Sequence, residues 1–593
     1  MSTASTKSNK RKAAVTKAAP PPAMPAEVVL SDRAWFIAVV AIMLVAAILR
    51  LYNLNLVPLH HDEGVNGNFL VRLVREGYYH YDPANYHGPT LYYFAAVVAW
   101  ILRPFVGADA SLSTTGIRLV PALFGVATIG LIFTLRRNLG TIATLSAAFL
   151  LALSPGAVYL SRYFIHETLF VFFTVGIVVA LLKYSEHPNP IYLVLTAISA
   201  ALLFATKETA MISVAVLLIA LVITRLYPAL WRSMTGMTNK KKGGKGFSSD
   251  QGRRTFFERA GGSSGLTLWV VIAMGVFAVV YVLFYSSFLT NHPQGIYDSL
   301  KTFQFWTKTG QEAHKHPPAT YIWWLLEQES PVFVLGALGA IVAVLRPVKS
   351  FALFAALWAF GLMAAYSLIA YKTPWLSLNF MVPLALTSGV AIDWFFEELR
   401  KWGVRTNLRW YAIAAILLIA IGPLPGLARI FDEVAFDASS DSPKGLASVD
   451  LHGKTFIPGY QTIDLNFLNY DNDNRYYVYV YAHTRRETLK LLEEINKVAE
   501  RTHQGLETGI TVVSADYWPL PWYLRDYKRV GYHGHMTPSN EPIIIARQDQ
   551  AAEMQMTFGD RYQQLQSGFN AAGSFPLRPG VELLLFTRRE PAH

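Results

Sequence analysis

Eleven apolar stretches of roughly membrane-spanning length leave this 593-residue chain few options other than a helical bundle in a lipid bilayer. They run Ala34–Leu51, Ile117–Leu135, Thr141–Leu160, Thr168–Leu182, Ile191–Thr206, Thr209–Tyr227, Leu266–Leu289, Pro331–Leu345, Phe351–Ala370, Leu376–Phe396 and Trp410–Leu427. Backbone in hydrocarbon must satisfy its own hydrogen bonds, so each is read as a helix. The run Leu91–Leu102 has only 12 residues before Arg103 and Pro104. At 1.5 Å per residue it reaches about 18 Å, against a hydrocarbon core about 30 Å thick, so it is read as an interfacial helix.

The cations test that count. With residues 1–33 as a disordered cytoplasmic tail, four basic groups fall on the cytoplasmic side: Arg136 with Arg137, the Lys240–Arg259 cluster, Arg346 with Lys349, and Arg400 to Arg409. Making Leu91–Leu102 a span would move all four outside, against the positive-inside rule. The net charge of +12 is therefore a topology signal and not a nucleic-acid footprint. The chain has no cysteine, which excludes disulfides, thiolate nucleophiles and Cys-ligated metals.

Residues 34–428 then form a transmembrane domain and residues 429–593 an extracytoplasmic α/β domain. In the latter, strands are expected at Tyr476–Tyr481, Gly509–Ser514 and Glu541–Ala546, with a helix at Arg485–Arg501. The aromatic stretch Asp516–Tyr523 reads as packing, with a membrane or saccharide contact as the alternative. In the first external loop, Val65, Phe69, Leu73 and Val74 oppose Asn66, Asn68, Arg72 and Arg75, the pattern of an amphipathic helix on the membrane or against neighbouring spans.

The polar outliers collect on the external side. Directly after the first span come His60, His61, Asp62 and Glu63; Tyr86, His87, Arg162, Glu167, Lys207 and Lys372 share that face. Ionisable residues at membrane depth are functional suspects because burial there is costly. A lipid-phosphate-linked sugar suits such a face: a carboxylate takes the acceptor's proton, and cations or a divalent metal stabilise the departing phosphate. No phosphate-binding Gly-rich loop or dinucleotide fingerprint appears, which disfavours a soluble nucleotide-sugar donor.

These residues resemble the GT-C superfamily of membrane glycosyltransferases, in its dolichyl-phosphate-mannose protein mannosyltransferase-like branch, and within it a prokaryotic flippase-activity-associated set. The resemblance rests on Asp62-Glu63, His87-Gly88-Pro89, Arg118-Leu119-Val120-Pro121, Ser161-Arg162 with Glu167, Lys207 and Lys372-Thr373-Pro374. Glu167 stands where Asp is common, and His87 where Lys or another polar residue is. The resemblance implies an inverting enzyme of the cell membrane that moves a hexosyl, mannosyl or pentosyl group from a polyprenyl-phosphate donor to a protein, lipid or glycan acceptor. Asp62 would be the base or would orient the acceptor, with Glu63 and Glu167 shaping the site or holding a metal. Arg162, Lys207 and Lys372 would bind the lipid phosphate, with His87 nearby and His60, His61 and Tyr86 in the substrate site. A non-catalytic flippase-associated role and an oligosaccharyltransferase-like enzyme are the alternatives.

Overall fold

The computed structural model describes residues 30–84, 87–234, 261–309, 314–346, 349–401, 458–473 and 477–589. The tail up to residue 29, Tyr86 and the stretch Trp410–Leu427 lie outside them. Among the described residues seven helices are long and apolar enough to cross a membrane, or nine if each of two sharply bent pairs is one span. One of the expected eleven, Trp410–Leu427, lies outside that count. The stretch at Ile191–Thr206 forms a helix of only 15 residues, Pro190–Phe204. The helix α3 (Thr90–Val106) has 17 residues and runs on through Arg103 and Pro104, longer than its apolar run.

The two bends have a common cause. The expected span at Thr141–Leu160 breaks by 59° between Thr141–Ala152 and Pro155–Ser161. Pro155 cannot donate to a continuing helix, and Ser154 before it is extended and caps the new N-terminus through its hydroxyl. The second pair, Thr320–Gln328 and Ser330–Leu345, bends by 117° just before Pro331. Glu329 at that bend accepts hydrogen bonds from Ser154 Oγ at 2.8 Å and Gly156 N at 2.7 Å, so the two breaks are fastened to each other.

The C-terminal part is a mixed sheet. Its strands β1 (Gly509–Val512), β2 (Arg529–Tyr532), β3 (Ile543–Arg547), β4 (Tyr562–Gln564), β5 (Phe575–Arg578) and β6 (Val581–Arg588) lie in the order β2-β1-β3-β6-β4, with β5 also paired to β6. β1 is parallel to β2 and β3, and β6 is antiparallel to its partners. The helix Thr488–Arg501 seals one face with Leu491, Ile495 and Val498, and Met554 and Phe558 seal the other. That double cover explains the continuous apolar runs Ile543–Ile545 and Leu583–Phe586. The strand expected at Tyr476–Tyr481 does not form. Tyr477, Tyr479 and Val480 are instead buried among the membrane helices, an irregular segment whose alternation mimics a strand.

What joins the two parts is α2 (His61–Glu76), which forms where the first-loop pattern places it. It does not lie open on the bilayer: Asn66, from its supposed polar face, is buried and bonded to Phe164 O and the Tyr92 hydroxyl. Pro519 rests on Gly64 and Trp522 on Gly67, one helical turn apart; a Cβ at Gly67 would fall inside the indole. Tyr523 Oη takes a hydrogen bond from Leu59 N at 2.8 Å, just before the helix, and Arg75 pairs with Asp526 at 2.7 Å near its end. Gly67→Val is therefore expected to destabilise this joint by about 1–3 kcal/mol through overpacking. Amide exchange over residues 518–524 should accelerate; unchanged exchange would mean that this contact does not hold the outer part down.

Candidate functional site

The start of α2 is held by a dense set of hydrogen bonds. His60 is its N-cap: Nδ1 accepts from Asp62 N at 3.1 Å, and Glu63 Oε2 accepts from His60 N at 3.0 Å, closing a capping box. Because Nδ1 accepts, the ring proton sits on Nε2, which donates to Tyr481 O at 3.1 Å. Burial pushes the His60 pKa down to about 4, which keeps this neutral tautomer near neutral pH.

Glu63 is fully buried and both oxygens are used. Arg118 Nε meets Oε1 at 2.7 Å and Nη2 meets Oε2 at 2.5 Å, a two-pronged pair, while Phe164 N adds a third donor at 2.7 Å. Arg118 gives its remaining protons to Leu54 O and Val57 O, in the turn that leads from the first span into α2. Glu63 is thus a strut, with no lone pair directed at a substrate.

Asp62, one position earlier, is different. Its side chain is 27% exposed, and among the described residues its carboxylate accepts no hydrogen bond; His60 Nδ1 stands 4.0 Å from it. Burial raises its pKa above the ordinary carboxylate range; His61, His87 and Lys207 pull it back and Glu167 adds to the rise. Three of those residues belong to two ion pairs within electrostatic range of it, a group termed the ring. Lys207 Nζ meets Glu167 Oε1 at 2.5 Å, both buried, and His87 Nδ1 meets Glu208 Oε2 at 2.9 Å. Burial pushes the Glu208 carboxyl up, but His87 and Lys207 more than offset this and hold it below its usual range.

Two distant motifs make this ring by packing on each other. Gly88 N donates to Thr206 O, and a Cβ at Gly88 would collide with the Ala205 carbonyl, so only glycine lets the chain after His87 approach the Lys207-Glu208 turn. His166 Nε2 lies 2.9 Å from Gly88 O, and the His87 and His166 rings are 5.3 Å apart.

Not every expected residue joins the ring. Arg162 is buried on the carbonyls of Leu49, Tyr52 and Asn53, capping the C-terminus of α1 (Asp32–Leu51), with its guanidinium over Phe467. Lys372 Nζ is bonded to His316 O and Ile369 O. Both cations are bonded to backbone carbonyls and lie outside the two ion pairs near Asp62. His61 does flank Asp62, its ring 6.1 Å from Trp518 of the C-terminal sheet part. Tyr163 and Tyr371, both within electrostatic reach of Asp62, are residues that pattern reading passed over. Arg118 was visible as an arginine inside a span, the usual mark of a buried acidic partner.

A divalent cation fits this arrangement poorly. Among the described residues no three His, Asp and Glu side chains converge closely enough to hold one, and Glu63 and Glu167 are already taken by Arg118 and Lys207.

A family model described as dolichyl-phosphate-mannose-protein mannosyltransferase matches residues 89–238, from the Gly88-Pro89 turn through Lys207. Among solved structures, the chain is similar to ArnT from Cupriavidus metallidurans bound to undecaprenyl phosphate, with TM-score 0.52 and 15% identity over 94% of this chain and 98% of that one. The apo state of the same protein gives TM-score 0.51 and 15% identity over 93% and 98%. An Archaeoglobus fulgidus oligosaccharyltransferase tethered to an acceptor peptide gives 0.47 and 15% over 84% and 64%. No curated protein sequence matches the chain. At this identity the likeness to ArnT concerns the fold, which extends across both the membrane and the outer parts.

Arg118→Leu, which strands Glu63 as a buried unpaired charge, is expected to cost about 3–5 kcal/mol. The double change Glu63→Leu with Arg118→Leu should recover only part of it, because His60 N and Phe164 N lose their acceptor at about 1–3 kcal/mol each. Melting midpoints in detergent read both; full recovery in the double variant would show that the amide bonds contribute little.

Proposed function

Because the chain has the GT-C fold and carries a segment of the dolichyl-phosphate-mannose-protein mannosyltransferase family, we propose that it is an integral-membrane glycosyltransferase that uses a polyprenyl-phosphate-linked sugar. The observation that carries this reading is the state of Asp62: a part-exposed carboxylate with open lone pairs, held at the start of a capped helix inside a ring of occupied ion pairs.

Asp62 accepts the proton of the acceptor's nucleophilic group as that group attacks the anomeric carbon from the face opposite the lipid phosphate. The new glycosidic bond forms, the bond from the anomeric carbon to the phosphate oxygen breaks, and the electron pair leaves with the polyprenyl phosphate. Geometry of this kind inverts the anomeric centre. Lys207 supplies positive charge where the leaving phosphate gains negative charge, with the His87 imidazole beside it as a hydrogen-bonding group. Glu167 and Glu208 hold those two side chains in place. His61 stands at Asp62 on the side of the outer domain.

This assignment puts Asp62, Lys207 and the sheet domain on one extracytoplasmic face, with eleven crossings and a cytoplasmic N-terminus. The fold's likeness to ArnT, which has been crystallised with undecaprenyl phosphate, supports a polyprenyl-phosphate donor here. The sugar is a hexose or pentose; mannose is favoured by the description of the matching family.

Asp62→Asn is expected to lower transfer from polyprenyl-phosphate sugar about 10²–10⁴-fold while leaving the melting midpoint unchanged, since the carboxylate holds no structural bond. Wild-type kcat/KM should rise with pH as Asp62 loses its proton, with a midpoint above the ordinary value of about 3.9. A variant that keeps wild-type transfer removes Asp62 as the base. The sidedness is checked separately, because the chain has no native thiol. Ala515→Cys and Tyr297→Cys should label from outside intact cells and Arg137→Cys only after permeabilisation; any other pattern overturns the orientation.

A further inference from the structure

The aromatic run in the outer domain does two different jobs. Pro519, Leu520 and Trp522 are buried in the joint with α2, whereas Tyr517 and Trp518 remain half-exposed. These two continue a strip. The ring of Tyr532, at the end of β2, lies 5.0 Å from Tyr517; Tyr517 lies 5.9 Å from Trp518; and Trp518 lies 6.1 Å from His61. All four rings are half-exposed, and the residue after the last is Asp62. The strip begins at the carboxyl ends of the parallel strands, where open α/β sheets commonly place their ligands. Polar groups border it: Asp516 with Arg547 at 2.7 Å and with Arg578, and exposed His533.

We infer that the acceptor is a glycan chain, which lies along Tyr532, Tyr517, Trp518 and His61 and presents the hydroxyl of its terminal sugar to Asp62. The inference rests on the transferase reading above and names its acceptor class. Sugar rings have an apolar C–H face that packs on aromatic rings, and a hydroxyl rim that pairs with carboxylate, guanidinium and imidazole groups; both kinds of partner are present here in one line. The rings follow one another at about the length of a single hexose, so successive sugars meet successive rings. Half-burial keeps the rings' aromatic surface ordered without sealing it. A lipid surface is the less suited occupant, because the strip ends beside a part-exposed carboxylate that must stay wetted to exchange protons.

The test is saccharide binding by the full-length protein in nanodiscs, which does not require catalysis. Fluorescent hexasaccharides of mannose, glucose and N-acetylglucosamine serve as probes, read by anisotropy. At least one should bind wild type, bind Trp518→Ala and Tyr517→Ala at least tenfold more weakly, and bind Trp518→Phe within about threefold of wild type. In transfer assays Trp518→Ala should raise KM for the glycan acceptor without changing KM for the lipid-linked donor. Absence of hexasaccharide binding by wild type, or binding indifferent to both alanine variants, overturns the inference. So does transfer onto a peptide that leaves Trp518→Ala at wild-type KM. If saccharide binding follows the aromatic variants but Asp62→Asn retains full transfer, the strip stands and the base assignment falls; the reverse result fells the strip alone.

Discussion

The pair between Glu63 and Arg118 carries the architecture around the candidate site. It joins the helix that opens the first loop to the second span, and Arg118 also holds the turn before α2 by two carbonyls. A carboxylate and a guanidinium out of water cost several kcal/mol each unless every proton and lone pair is answered. Here they are, with backbone amides of His60 and Phe164 completing the carboxylate. That saturation makes the following logic possible: when one acid of an adjacent pair is fully consumed by structure, its neighbour is positioned without having to bond to anything.

The same sorting extends across the ring. Glu167 is taken by Lys207 and Glu208 by His87, so neighbouring charges are neutralised in place, while Asp62 feels them only through space. Its proton affinity is thereby set by burial and Glu167 on one side against His61, His87 and Lys207 on the other. The buried arginines Arg50 and Arg162 have another use, capping helix ends where carbonyls would otherwise point into apolar surroundings.

Much of this was legible in residue order. Hydropathy reveals the long helices, and the Asp62-Glu63 pair, the His87-Gly88-Pro89 turn and the Lys207-Glu208 turn stand out as polar interruptions. Pattern alone could not rank the two adjacent acids, because what separates them is Arg118, 55 residues away, and the amide of Phe164. Nor could it separate Arg162 and Lys372 from Lys207: all three are cations at helix ends, and only the nearest carbonyl or carboxylate decides their use. The broken helices were signalled by Pro155 and Pro331, but the continuous hydropathy around Pro155 hid its bend. The segment 477–481 misled for a related reason, since alternate burial arises equally from a sheet and from an irregular strap between helices.

The joint on Gly64 and Gly67 also bears on how such a chain is made. Helix α2 is synthesised early, yet its cap reaches a carbonyl 421 residues downstream and the amide just before it reaches a hydroxyl 464 residues downstream. The start of α2 is therefore only half packed until the C-terminal sheet part has settled on it. Folding of the surroundings of Asp62 is in this way coupled to folding of the sheet, and a chain whose sheet fails to form keeps the acid but loses part of its setting.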